Sequence, residues 1–129
     1  MKKCQHLIGE SLLQSALLAS VLILCLSFGT PALAEQPSEQ YKIVFLLNTV
    51  SESNLVFIRN GTEYTGEQAR DHLQNKLDAA GDRIHTAEDF ISYLASKSMI
   101  TGTPYYVRLP DGTQLEAATW LRKKLATVK

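Results

Sequence analysis

Three residues of this 129-residue chain combine types that could do chemistry together: Arg59, Tyr64 and His72, with Asp71 beside the histidine. Arg59 stands just before Asn60-Gly61, and Tyr64 just after it. Asn-Gly is the strongest two-residue hairpin signal, because both residues tolerate positive φ. A tight hairpin there, followed by a helix carrying His72, would bring the three side chains together. A histidine beside a phenol and a guanidinium could bind an anion or work as an acid–base pair. A structural role is open as well. His72 lies three residues after Ala69 and borders a buried helix face, where its ring could satisfy a backbone carbonyl or the Tyr64 hydroxyl. Arg59 could pair with Glu63.

Other chemistry is hard to assemble from the remaining residues. His72 and His85 have no second histidine and no cysteine at i+3 or i+4, and a structural zinc site wants four ligands; no metal or cofactor is expected. Ser92, Ser96 and Ser98 fall close together, but no Gly-x-Ser-x-Gly elbow accompanies them. Gly61, Gly66, Gly81, Gly102 and Gly112 stand singly at turns and caps, so no phosphate-binding loop is present. Tyr105, Tyr106 and Arg108 interleave aromatic and basic character. One tyrosine reads as core, which leaves Tyr106 and Arg108 as a candidate partner surface, since Tyr and Arg favour interfaces.

The elements that position these residues follow from periodicity. Ile43, Leu46, Leu47 and Val50 mark one helix face. Leu55–Ile58 reads as a strand, and its unbroken apolar run suggests burial on both faces. Thr62–Tyr64 is a short return strand. Thr65 with Gln68 forms a capping box, and the helix behind it carries Ala69, Leu73, Leu77 and Ala80, with Gly81 suited to its end. Thr86 caps the next helix, whose stripe is Ala87, Phe90, Ile91, Leu94, Ala95 and Met99. Tyr105–Leu109 alternates as a half-buried strand, Pro110-Asp111-Gly112 is a turn, and Leu115–Ala126 is a last helix with Ala117, Trp120, Leu121 and Leu125 on one side. The expected class is α+β: four helices with a two- or three-stranded antiparallel sheet, in the order α-β-(β)-α-α-β-α.

The first 34 residues read differently. Lys2 and Lys3 give a positive start, Leu12–Phe28 is strongly apolar, and Ala32-Leu33-Ala34 places small residues where a signal peptidase reads them. We expect a cleavable secretory leader cut between Ala34 and Glu35, leaving a single domain over 35–129. The alternative is an uncut membrane anchor, for which the apolar run is at the short end. Leu24 before Cys25 does not suit a lipoprotein. Both cysteines, Cys4 and Cys25, lie in the leader, so the remainder has no disulfide and must stand on its core. The chain has formal net charge +0, with 13 basic and 13 acidic residues. Removing Lys2, Lys3 and Glu10 leaves one excess acid. Near-neutrality argues against nucleic acid and anionic membrane surfaces as partners.

A longer pattern runs through the domain. It comprises Phe57-Ile58-Arg59-Asn60-Gly61, Tyr64, Ala69, His72-Leu73 and Lys76-Leu77. It continues through Ile84, Thr86-Ala87-Glu88, Phe90-Ile91, Ala95-Ser96 and Ser98, and ends with Thr101-Gly102, Pro104-Tyr105 and Trp120-Leu121. Over about Val56 to Leu125 it resembles the YfeK-like family of small exported bacterial proteins, a domain of unknown function. The resemblance implies a periplasmic location and no activity. The expectation is therefore a non-catalytic envelope module that binds a protein or a small envelope ligand. The alternatives are a small periplasmic enzyme or ligand-binding domain using the His/Arg/Tyr cluster, and a membrane-anchored accessory subunit if the leader stays on.

Overall fold

The computed structural model describes residues 34–129. The expected leader therefore lies outside the described residues, apart from Ala34; it and Glu35, the two residues flanking the expected cut, are exposed and irregular. Helix α1 (Glu39–Glu52) starts where the Ser38 hydroxyl accepts the Tyr41 N–H, and it buries Ile43, Leu46, Leu47 and Val50. Strands β1 (Val56–Arg59) and β2 (Thr62–Tyr64) form a hairpin with Phe57 opposite Tyr64 and Arg59 opposite Thr62. Asn60 and Gly61 turn it with φ of 51° and 78°, the double left-handed geometry of a type I′ turn.

Helix α2 (Gly66–Ala80) begins at the Thr65–Gln68 capping box, both halves of which are made. Its first residue is wedged against the end of α1: a Cβ on Gly66 would run into the Val50 carbonyl oxygen. A short 3₁₀ turn, Gly81–Arg83, follows. Helix α3 (Ala87–Asp89) is capped reciprocally by Thr86 and Asp89 and winds on as a π-helical segment, Phe90–Ala95. Together they bury Ala87, Phe90, Ile91, Leu94 and Ala95. Strands β3 (Tyr106–Arg108) and β4 (Gln114–Glu116) lead into helix α4 (Ala117–Leu125).

The class is α+β, with a four-stranded antiparallel sheet in the order β2-β1-β3-β4. The fourth strand is a departure from the two or three expected. Leu115 was expected to open the last helix. It sits instead opposite Val107 in β4, and the helix starts at Ala117. Gln114 and Glu116 are good helix formers by propensity, so the segment carries no strand signal of its own; pairing with β3 decides it.

Two further expectations are corrected. β1 is not buried on both faces: Phe57 alone is buried, and Leu55, Val56 and Ile58 are half-buried. The core lies on the face carrying Phe57 and Val107, while on the other Arg108 and Glu63 reach each other at 2.6 Å. Met99 does not continue the α3 stripe; it is 78% exposed. The helical winding stops at Ala95 and Lys97 bridges to Pro104, so Met99 falls in a turn.

The core joins α1, β1, α2 through Leu73, β3, α3 with its π segment, and α4. Trp120 packs edge-on against Phe57, with ring centroids 5.7 Å apart at 76°, a geometry that adds about 0.5–1.5 kcal/mol beyond burial. Glu39 ties two helices together: its carboxylate takes the Lys42 ammonium at 2.6 Å and accepts the Ala87 N–H of α3 at 2.8 Å.

Candidate ligand-binding site

Strand alternation places Arg59 on the same face as Phe57, and the hairpin register puts Tyr64 across from Phe57 on that face. Arg59 therefore turns inwards at the end of β1, where α2 passes over the hairpin. Its Cζ lies 5.0 Å from the centre of the Tyr64 ring, and Nη2 donates to the Tyr64 hydroxyl at 3.2 Å. Nη1 lies 2.8 Å from both ring nitrogens of His72. The three residues singled out by sequence thus meet.

Two more residues complete the cluster. Tyr105 packs edge-on against His72, with centroids 6.3 Å apart. Lys76, one turn along α2 from His72, holds its ammonium 5.2 Å from the Tyr105 ring centre and donates to the Leu94 carbonyl at the end of the π segment. Burial, reinforced by the charges of Arg59 and Lys76, lowers the His72 pKa below its usual 6.5. Burial followed by the Arg59 charge lowers that of Lys76, and burial raises that of the Tyr105 phenol. Both causes favour the neutral form of the His72 imidazole.

Arg59, Tyr64, His72 and Tyr105 border a cavity of about 100 Å³; Gln68 and Tyr106 add to its polar rim, the rest of the wall is apolar, with Leu73 and Ala95 in it, and Lys76 lies outside it. The carboxylates are elsewhere. Among the described residues the ion pairs are Lys42–Glu39, Arg70–Asp71, Arg108–Glu63 and Arg122–Glu88. Glu63, the expected partner of Arg59, is taken by Arg108, and Asp71, expected beside the cluster, bonds Arg70. Arg59 and Lys76 have no carboxylate within ion-pair reach among the described residues.

Tyr106 and Arg108 are not part of this arrangement. Alternation assigns their side chains to the face opposite Val107, where both are half-buried; Tyr106 borders the cavity through its strand. The serines are occupied locally: Ser92 donates to Glu88, Ser96 to the Ser92 carbonyl, and the Ser98 hydroxyl accepts the Thr101 N–H. No group of three or more His, Cys, Asp and Glu that could hold a metal occurs among the described residues. Sequence reasoning missed Lys76 and assigned Tyr105 to the core alone. The i+4 spacing of His72 and Lys76 was a visible sign that both share one helix face.

The cluster thus holds a guanidinium fixed by two partners, an ammonium packed on Tyr105, and a largely apolar cavity beside the guanidinium. A model of a family of unknown function, DUF5329, matches residues 37–129 and so spans the whole folded domain. The chain belongs to that family. It is also 44% identical over 68 residues to the uncharacterized protein YfeK of Salmonella typhimurium, a match covering 52% of this chain and 57% of that protein. The chain thus spans just over half the length of that curated relative. No solved structure matches. The resemblance read from the hairpin and helix motifs holds at the level of the family, to which no activity is attached.

Proposed function

We propose that this is an exported binding module of the bacterial envelope, without catalytic activity, that takes a small anionic ligand at the Arg59–Tyr64–His72 corner. One observation carries the reading: the Arg59 guanidinium lines a small cavity, Lys76 packs against the Tyr105 ring of its wall, and neither cation has a carboxylate within ion-pair reach among the described residues. A partly buried charge is stabilised by a counter-charge, and a ligand is the means of supplying one. Neutral His72 and the Tyr64 hydroxyl add polar contacts without competing negative charge. An enzymatic use is less well supported, because the serines are committed to their own segment and no carboxylate stands by His72 as a partner for proton transfer. The Lys2-Lys3 start, the apolar Leu12–Phe28 run and the Ala32-Leu33-Ala34 site support export, and the intact mass of the exported protein tests cleavage after Ala34.

Thermal melting against a panel of inorganic and organic anions, sugars, metals and cell-wall fragments tests the binding role. A ligand at one hundred times its Kd adds about 2.7 kcal/mol, and each kcal/mol moves the midpoint of so small a domain by about 4–8 °C. An anion-induced shift that vanishes in Arg59→Met supports the reading. A panel in which no anion moves the midpoint overturns it, and directs attention to the outer sheet face of Val56, Ile58 and Tyr106 as a protein-docking surface.

A further inference from the structure

We infer that the ligand group is a carboxylate carrying a short apolar tail of about four carbons, its head at Arg59 and its tail in the adjoining cavity. The inference rests on the anion-binding reading above and narrows it in two ways.

The head group follows from the donors. Lys76 is already engaged by the Leu94 carbonyl and lies against the Tyr105 ring. Its partners anchor it at the rear of the cluster. Arg59 spends one N–H on His72 and one on Tyr64, and of its five donors the rest stay free. Contacts from Nη1 to His72 and from Nη2 to Tyr64 fix the guanidinium before any ligand arrives. A planar fork with parallel N–H groups matches a carboxylate bidentately. One oriented guanidinium suits a single negative charge. A phosphate dianion calls for a second cation in the wall, and the other wall residues supply no positive charge: apart from Gln68, Tyr105 and Tyr106 they are apolar.

The tail follows from the cavity. An apolar cavity of about 150 Å³ takes benzene, with its six heavy atoms. The roughly 100 Å³ here therefore takes about four. Val50, Phe57 and Leu73 make that space apolar, so a tail is favoured there over a hydrated ion. The same chemistry occurs in a free short-chain acid and in the C-terminal residue of a peptide with a branched apolar side chain.

The test titrates the protein purified from cells with acetate, propanoate, butanoate, pentanoate and octanoate, with their methyl esters, and with N-acetylvaline against N-acetylvalinamide, followed by amide NMR shifts. The expected result is affinity rising about fourfold per methylene up to pentanoate and flat or falling at octanoate, with esters and amide more than tenfold weaker. Tighter binding of the free acids identifies a metabolite-like source, and tighter binding of N-acetylvaline a chain terminus. Ala69→Leu fills the cavity from half-buried helix α2; it should erase the tail dependence while acetate still binds. Arg59→Lys keeps the charge but loses the fork, and should weaken every carboxylate about tenfold even if Ala69→Leu fails to fold. Phosphate and sulfate binding as well as pentanoate, with both lost in Arg59→Met, would overturn the carboxylate inference and leave the anion site standing. Esters binding as well as acids would overturn both, as would no binding at all.

Discussion

Nη1 of Arg59 lies 2.8 Å from both Nδ1 and Nε2 of His72, so one guanidinium nitrogen is within hydrogen-bond reach of either ring nitrogen. At least one of them must lack a proton to accept from it. Arg59 from β1 and Lys76 from α2 are the cations that face the ring, with the phenol-bearing Tyr64 and Tyr105 completing its surroundings. Protonating His72 would remove the acceptor and add a third positive charge. Its folded-state pKa is lowered below 6.5, by burial first and then by those two charges. On acidification the unfolded chain therefore takes up this proton before the folded one does. Stability should fall as pH drops from 6.5 to the folded-state pKa, and the contribution should level off below it. Melting midpoints across that range check this. His72→Gln, which keeps an acceptor but does not titrate, should flatten that part of the curve. A wild-type midpoint that rises on acidification through it would contradict the assignment.

Gly66 sets how closely α2 approaches α1. Its Cβ position is occupied by the Val50 carbonyl oxygen, with the Ser51 carbonyl also close. Both are backbone atoms inside a capped helix end and cannot swing aside as a flexible side chain would. Gly66→Ala should cost about 1–3 kcal/mol as overpacking, despite the better helix propensity of alanine. Denaturant unfolding measures it. A stabilised Gly66→Ala would mean that α2 starts farther from α1 than described.

Sequence alone made the hairpin–helix unit legible because its signals are local. Asn60-Gly61 and the Thr65–Gln68 box are both set by residues within a few positions of one another, so the meeting of Arg59, Tyr64 and His72 could be anticipated. What stayed hidden depends on partners far along the chain. Leu115 becomes a strand residue because Val107 is beside it. Met99 leaves the helical stripe because Lys97 bridges to Pro104. Arg59 is left without Glu63 because Arg108, 45 residues away in sequence, takes it. A π-helical winding at Phe90–Ala95 leaves no mark that a 3.6-residue periodicity would detect.

Glu39 is another long-range element. It accepts the Ala87 N–H from 48 residues away while holding Lys42, and so acts as a second cap on α3 beside Thr86. The Lys42 hydrogen bond first, and the Ala87 N–H second, lower its pKa below 4.5. The folded chain then keeps this group ionised where the unfolded chain would protonate it, and the contribution is present above pH 4.5 and lost as pH falls through the folded-state value. Glu39→Ala should lower the melting midpoint at neutral pH and reduce the acid-side slope. Lys42→Ala should reproduce only part of that loss, since the Ala87 contact survives. Equal losses in the two variants would assign the whole effect to the exposed ion pair.

Phe57 joins the core to the candidate site. It is 8% exposed, meets the edge of Trp120 at 5.7 Å, and lines the cavity below Arg59. Phe57→Ala removes a ring from a packed face and should cost about 3–5 kcal/mol, a large part of the 5–15 kcal/mol that holds a typical domain together. Trp120 is the single tryptophan and is 5% exposed, so its fluorescence reports this neighbourhood alone. Emission should be blue-shifted in the folded chain and move to the red in one transition that coincides with the loss of helical circular dichroism. In Phe57→Ala that transition should come at markedly lower denaturant with a similar slope. A tryptophan signal that changes before the helices melt would instead show that the Phe57–Trp120 face opens on its own, and would place the cavity in a locally unfolding part of the domain.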